Sequence, residues 1–185
     1  MMNAESKRTV VLFSGLPYSG KTAIIHWLLE GLPGKAIYVD AIFRDIVSEE
    51  EVCLERWLEE GPRLVDGIIE LINSTEKSCI YVEVGIMQAK HRGRLMQWVR
   101  NSNFNFIPIL LQCESKEAVQ YRQQERARKL ATQPEKLKIA IDLDELYGPI
   151  HDAFDTILDS EGYYKIDTNR PIENSVEEIR RLIPG

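Results

Sequence analysis

Cysteine is scarce. The chain has three in 185 residues, Cys53, Cys79 and Cys113, far apart and without a C-x-x-C pair. An odd, scattered set excludes a disulfide framework and predicts a reduced, intracellular, cytoplasmic protein. Long apolar runs are also missing. None approaches the roughly 20 residues of a spanning helix. The polar start, Met1 to Arg8, leads into only Val10–Phe13, so neither a signal peptide nor a membrane anchor is expected. Positive charge is not in excess: 23 Lys+Arg stand against 29 Asp+Glu, a formal net charge of −6. That excludes a generally basic nucleic-acid coat. The three histidines, His26, His91 and His151, lack metal-ligand spacing. No G-x-S-x-G occurs, and neither an internal repeat nor a low-complexity segment interrupts the chain. What is there is ordinary globular stock, 44% hydrophobic and 28% charged. The length predicts one domain, 1–185, able to bury roughly 70% of its unfolded surface without a disulfide or metal.

Apolar strands alternate with helical segments. Val10–Ser14 reads as a strand, Lys21–Glu30 as a helix and Ala36–Val39 as a second strand. The stretch 41–76 is helical in pattern, with Ser48 and Glu51 as a capping box and Pro62 suited to a first turn. Cys79–Val84 is a third strand, followed by a helix over Gln88–Arg100. Phe106–Leu111 is a fourth strand, with Pro108 awkward inside it. Lys116–Arg128 reads as a helix, 131–137 as a loop and Leu143–Leu158 as a helix. Tyr163–Ile166 is the fifth strand, and Ser175 with Glu178 can cap a last helix. Trp27, Trp57, Trp98 and Phe154 are expected in the core. The alternation predicts an α/β fold with a parallel sheet buried on both faces, and a site beyond the carboxyl ends of its strands.

Strand one runs into Gly15-Leu16-Pro17-Tyr18-Ser19-Gly20-Lys21-Thr22, a G-x-x-x-x-G-K-T octet. Backbone N–H groups of such a loop converge on phosphate oxygens, and the helix start adds its positive dipole end. Gly15 and Gly20 permit the turn, Lys21, taken as an exposed loop lysine, reaches the outer phosphates, and the Thr22 hydroxyl ligates Mg²⁺. With glycine near 7% of residues, a chance match is on the order of 1%.

This octet, with Pro17 in third place, resembles the small P-loop kinases. Among them it is most similar to the group of zeta toxins, chloramphenicol phosphotransferase and polynucleotide kinase domains. Tyr18 departs from the pattern, because such kinases usually carry a small residue there. The resemblance implies a three-layer fold with a five-stranded parallel sheet in order 2-3-1-4-5, ATP with Mg²⁺, and transfer of the γ-phosphoryl group to a hydroxyl. It makes Asp40, at the end of strand two, the base that takes the acceptor proton, and Arg44, four residues on, an acceptor-holding arginine. The alternative reading makes Asp40 a helix N-cap and Arg44 a solvated charge. Glu83, ending strand three, is read either as a ligand of Mg²⁺-bound water or of the acceptor, or as a buried paired carboxylate. The resemblance also implies a lid over 122–137 whose Arg122, Arg126 and Arg128 reach the triphosphate. The loop Asp167–Pro171, with Arg170, would lie against adenine. Helices over 41–76 would form the acceptor side. Arg92 and Arg94 stand as acceptor contacts or, by preference, surface charges.

Rival P-loop classes lack their motifs: no N-K-x-D, no transporter signature, and a single carboxylate in Ile80-Tyr81-Val82-Glu83. D-G-[FY]-P-R, typical of nucleoside-monophosphate kinases, is missing too. Residues 115–138 hold seven Lys/Arg against three acids, and 141–164 seven acids with no Lys or Arg. ATP phosphates alone account for the basic block. A small-molecule acceptor is therefore expected. A polynucleotide 5′-hydroxyl acceptor, which favours a wider basic track, is the alternative. An ATP-binding switch or toxin–antitoxin component without turnover is the alternative of another class. No membrane partner is expected, and no motif speaks to oligomeric state.

Overall fold

The computed structural model describes residues 7–132 and 143–184. Five strands form one parallel sheet: β1 (Thr9–Ser14), β2 (Lys35–Tyr38), β3 (Cys79–Glu83), β4 (Asn105–Gln112) and β5 (Tyr164–Asp167). Their order is β2-β3-β1-β4-β5, the order the resemblance implies. β1 lies in the middle, with Leu12 opposite both Val82 and Pro108. Val10, Val11, Leu12 and Phe13 are fully buried, because helices cover both faces of the sheet.

Side chains alternate along the strands and divide the core in two. Val10, Leu12, Ile80 and Val82 pack under α2 (Val39–Ile46), α4 (Gly61–Ser74) and α5 (Ala89–Asn101). Val11, Phe13, Tyr81 and Ile109 pack under α1 (Lys21–Gly31) and α8 (Ile172–Leu182). Among the described residues the remaining α-helices are α3 (Leu54–Glu59), α6 (Lys116–Ala131) and α7 (Leu143–Ala153).

Several boundaries differ from the sequence reading. β2 ends at Tyr38, so Val39 opens α2 and Asp40 sits in its first turn. The expected capping box of Ser48 and Glu51 is present, but it caps a single 3-10 turn, Glu49–Glu51. Pro62 does lie in the first turn of α4. Pro108 is tolerated because β5 begins pairing only at Ile109, so an N–H missing on that side costs no ladder bond. α6 extends to Ala131, absorbing the start of the expected loop; the rest of that loop lies outside the described residues. Ser175 does not cap α8, because Pro171 holds that place. Its hydroxyl donates instead to the Asp167 carbonyl at 3.1 Å. Trp57 is buried, but Trp27 is 39% exposed, on the outer face of α1.

Arg92 is the largest correction. It is neither an acceptor contact nor a surface charge: it is 1% exposed. Its Nε and Nη2 donate to Glu161 at 2.7 and 2.8 Å, and Nη1 donates to the Met87 carbonyl at 2.9 Å. This fork ties α5 to the turn before β5. Arg92→Met keeps the bulk but leaves Glu161 and Met87 without their donor. We expect a loss of roughly 2 kcal/mol, the cost of orphaning buried polar groups. For a chain of this size that lowers Tm by about 4–8 °C, measurable by calorimetry.

Candidate active site

The octet folds as a tight loop between β1 and α1. Gly15 has φ 148°, and a Cβ there would fall 2.6 Å from the Leu111 carbonyl oxygen and 2.7 Å from Ser19 Oγ. Only glycine fits. Gly20 caps α1 with φ 92°. Tyr18, the departure from the usual pattern, adopts a left-handed φ of 65°, a conformation that costs on the order of 1 kcal/mol for a side-chain-bearing residue. Its ring lies 6.1 Å from that of Tyr147 on α7.

Lys21 is not an exposed loop lysine. It is 7% exposed, and Nζ donates to the carbonyls of Gly15 at 2.8 Å and Leu16 at 2.9 Å. Burial pulls the ammonium pKa down, against the negative charges of Glu83 and Asp40. The next hydroxyl, Thr22 Oγ1, donates to Glu83 Oε2 at 3.0 Å. Glu83 ends β3 beside β1, which is why it meets a residue 61 positions earlier.

Burial pushes the Glu83 carboxyl up; Lys21 opposes that shift and Asp40 adds to it. An acid with a raised folded pKa contributes stability that is full below its unfolded value, about 4.5, and is lost as pH rises through the folded value. Glu83→Gln escapes this loss. Its Tm should equal or exceed the parent's at pH 8, and the gap should close below about pH 4.5, the ordinary value. A Tm-against-pH series checks it; a Gln variant less stable at pH 8 contradicts the buried-charge account.

A cavity of about 660 Å³ opens at the carboxyl ends of the strands. Pro17, Tyr18, Gly20, Lys21 and Thr22 form its middle. From the β2–β3 half come Asp40, Leu54, Trp57, Glu83 and Ile86. From the β4–β5 half come Arg122, Arg126, Lys129, Thr168 and Arg170. Asp40 is therefore brought to the loop from the far side of β3. It is not an N-cap: Tyr38 holds that position, without a side-chain bond. Arg44, one turn on, is exposed and outside the lining.

The expected arginines behave differently from one another. Arg122 is engaged in structure: Nη1 donates to the Tyr18 carbonyl at 2.7 Å and Nη2 to the Thr168 carbonyl. It latches the octet to the end of β5. Arg170 pairs with Glu178 while still lining the cavity. Arg128 is outside the lining and pairs at 2.8 Å with Glu125, which is part of it. Arg94 pairs with Asp66 at 2.5 Å and is likewise outside it. Arg126 lines the cavity, and among the described residues no ion pair engages it.

Sequence reasoning missed several lining residues. His26 could have been found, since it follows Thr22 by one helical turn. Trp57 and Ile86 carried no such signal, because apolar residues at helical or strand spacing read as core. Cys53 and Leu54 likewise gave none.

No protein-family model matches the chain, and no curated protein sequence does. Solved structures match it. A gluconokinase from Sinorhizobium meliloti 1021 aligns with TM-score 0.64 and 16% identity over 96% of this chain and 94% of its own. An unliganded sugar kinase from Janibacter sp. HTCC2649 aligns with TM-score 0.63 and 15% identity over 94% and 93%. The shikimate kinase from Acinetobacter baumannii, in complex with shikimate, gives 0.56 and 15% over 96% and 93%. The fold is that of the small P-loop kinases.

The middle strand, β1, delivers the octet, and the strand halves on either side frame two compartments. Here one compartment carries the cations of α6 and the β5 end. The other carries Asp40, Glu83 and apolar side chains.

Proposed function

We propose that the chain is an ATP-dependent phosphotransferase that moves the γ-phosphoryl group to a hydroxyl of a small-molecule acceptor. One observation carries this: a single cavity holds the loop Gly15–Thr22 on one wall and the Asp40 carboxylate on another. The kinases that share the fold support it.

Backbone N–H groups of the loop and the start of α1 bind the phosphates. Lys21, held against the loop, turns its ammonium from the Gly15 and Leu16 carbonyls to the outer phosphate oxygens. Thr22 Oγ1 and the Glu83 carboxylate are hard oxygen donors hydrogen-bonded to each other. They fit Mg²⁺, directly or through its waters, and among the described residues no cluster of three or more His, Cys, Asp or Glu offers a protein cage. That suits a cation arriving with the nucleotide. Mg²⁺ there would neutralise charge on the β- and γ-phosphate oxygens. Asp40 accepts the acceptor hydroxyl's proton as that oxygen bonds to the γ-phosphorus. The bond from phosphorus to the β–γ bridging oxygen breaks, and ADP leaves with that electron pair. Arg126 faces the charge that builds on the transferring group.

The test is transfer of label from γ-labelled ATP across a library of hydroxyl compounds. Labelled product with a small acceptor is expected. Tight ATP binding with no transfer to any member would replace the enzyme with a nucleotide switch. Arg126→Ala should lower kcat roughly 10²-fold, the scale of one charge-stabilising donor, with ATP Kd changed far less. Equal losses in kcat and affinity would assign Arg126 to ground-state binding.

A further inference from the structure

Resting on the kinase reading, the cavity also says what kind of acceptor it takes. Its cations are all on one side. Lys21 comes from the loop, and Arg126, Lys129 and Arg170 from the β4–β5 half. Those face the position of the nucleotide phosphates. The acceptor half has the opposite character. Its carboxylates are Asp40 and Glu83, with the His26 imidazole beside them, and among the described residues it receives no lysine or arginine of its own. Of the arginines nearest in sequence, Arg44 is exposed outside the lining and the others are spent elsewhere. Arg92 is buried against Glu161, Arg94 pairs with Asp66, and Arg56 is held by Glu59 and Glu60.

The rest of that wall is apolar. Trp57 is 8% exposed, and its indole N–H is already committed to the Ile86 carbonyl at 2.6 Å. It therefore offers the cavity ring surface and no donor. Its orientation is fixed from behind by Phe43, ring centroids 4.9 Å apart. Leu54 and Ile86 flank it, and Ile150 of α7 adds another apolar side chain. A ligand carboxylate or phosphate placed here would meet two carboxylates and no cation beyond Lys21, whose charge those carboxylates already share, an arrangement that selects against anions. A flat apolar body would gain burial against Trp57, and an ammonium would be drawn to the carboxylates and to the indole face.

We propose that the acceptor is an uncharged or cationic hydroxyl compound with an aromatic or alicyclic body, and that Trp57 is its docking surface. This sets the chain apart from fold relatives whose names state carboxylate acceptors, gluconate and shikimate.

The test is equilibrium binding by Trp fluorescence and calorimetry on the full chain with a non-hydrolysable ATP analogue and Mg²⁺. The probes are 2-phenylethanol and 2-phenylethanolamine against gluconate and shikimate. Binding of the first pair at least tenfold tighter than the second is expected. Trp57→Leu should weaken the aromatic probes at least fivefold while nucleotide Kd stays unchanged. Leu54→Arg, which adds a cation to an already half-exposed position, should narrow the preference. Equal or tighter binding of gluconate or shikimate overturns the proposal, and so does the absence of saturable binding by either aromatic probe. Failure of the kinase reading looks different: the aromatic probes bind with the expected preference, yet no hydroxyl compound receives label from ATP.

Discussion

Lys21→Ala should lose phosphoryl transfer by roughly 10²–10³-fold or more, the scale of deleting one preorganised charge donor at a developing oxyanion. ATP affinity should fall as well, since a charge-assisted contact to the phosphates is lost. The burial of Lys21 changes what this variant does to the fold. The ammonium is desolvated, and its three N–H groups are occupied partly by the Gly15 and Leu16 carbonyls. Alanine relieves the desolvation but orphans the two carbonyls. These terms oppose each other, each worth roughly 1–3 kcal/mol, so Tm should move by only a few degrees. Isothermal titration with an ATP analogue, beside a melting curve, separates the two consequences. Full transfer activity would remove the phosphate-loop reading. A collapse of Tm would show that the lysine is a structural staple.

Asp40→Asn should lower transfer by roughly 10²–10⁴-fold, the range of a positioned general base. Asn keeps size and hydrogen bonding but accepts no proton. Asp40 is the second residue of α2, and Tyr38 is the cap, so the exchange costs only the carboxylate's interaction with the helix dipole, a few tenths of a kcal/mol. Nucleotide affinity should stay near that of the parent, because the phosphates are held at Gly15–Thr22. The decisive measurement is turnover with an identified acceptor, with nucleotide Kd taken alongside. Parental turnover would strip Asp40 of its role and shift attention to Glu83, which meets Thr22 directly.

The parts of this molecule that could be read from residues share a property: their physics is local or strictly periodic. The octet must turn tightly at Gly15, and it does. Four consecutive apolar residues, Val10–Phe13, must be covered on both faces, and they are. The strand order came only with the resemblance, since periodicity does not number neighbours. The misreadings arose where a distant partner decided the outcome. Arg92 looked like surface charge until Glu161, 69 residues later, closed a bidentate pair over it. Ser175 matches a capping pattern, yet the Asp167 carbonyl is within reach and accepts its hydrogen bond. Arg122 and Arg126, four residues apart, both read as phosphate contacts, with Arg126 the charge stabiliser; the carbonyls of Tyr18 and Thr168 claim only the first. The acceptor wall was illegible for the same reason, as Trp57 and Ile86 become a surface only when α3 is laid beside the end of β3.

The Arg122 latch has a consequence for the order in which the protein comes into being. It joins a carbonyl at residue 18 to one at residue 168, so the octet is secured by the end of a strand that leaves the ribosome long after it. β1, β2 and β3 can pair earlier, but β5 and the latch cannot exist until residue 168 has emerged. Parallel pairings of this span form slowly, because loop closure precedes any gain from contact. The nascent chain therefore carries the octet for a long stretch without the clamp that holds it, and the loop takes its final shape only after β5 has docked.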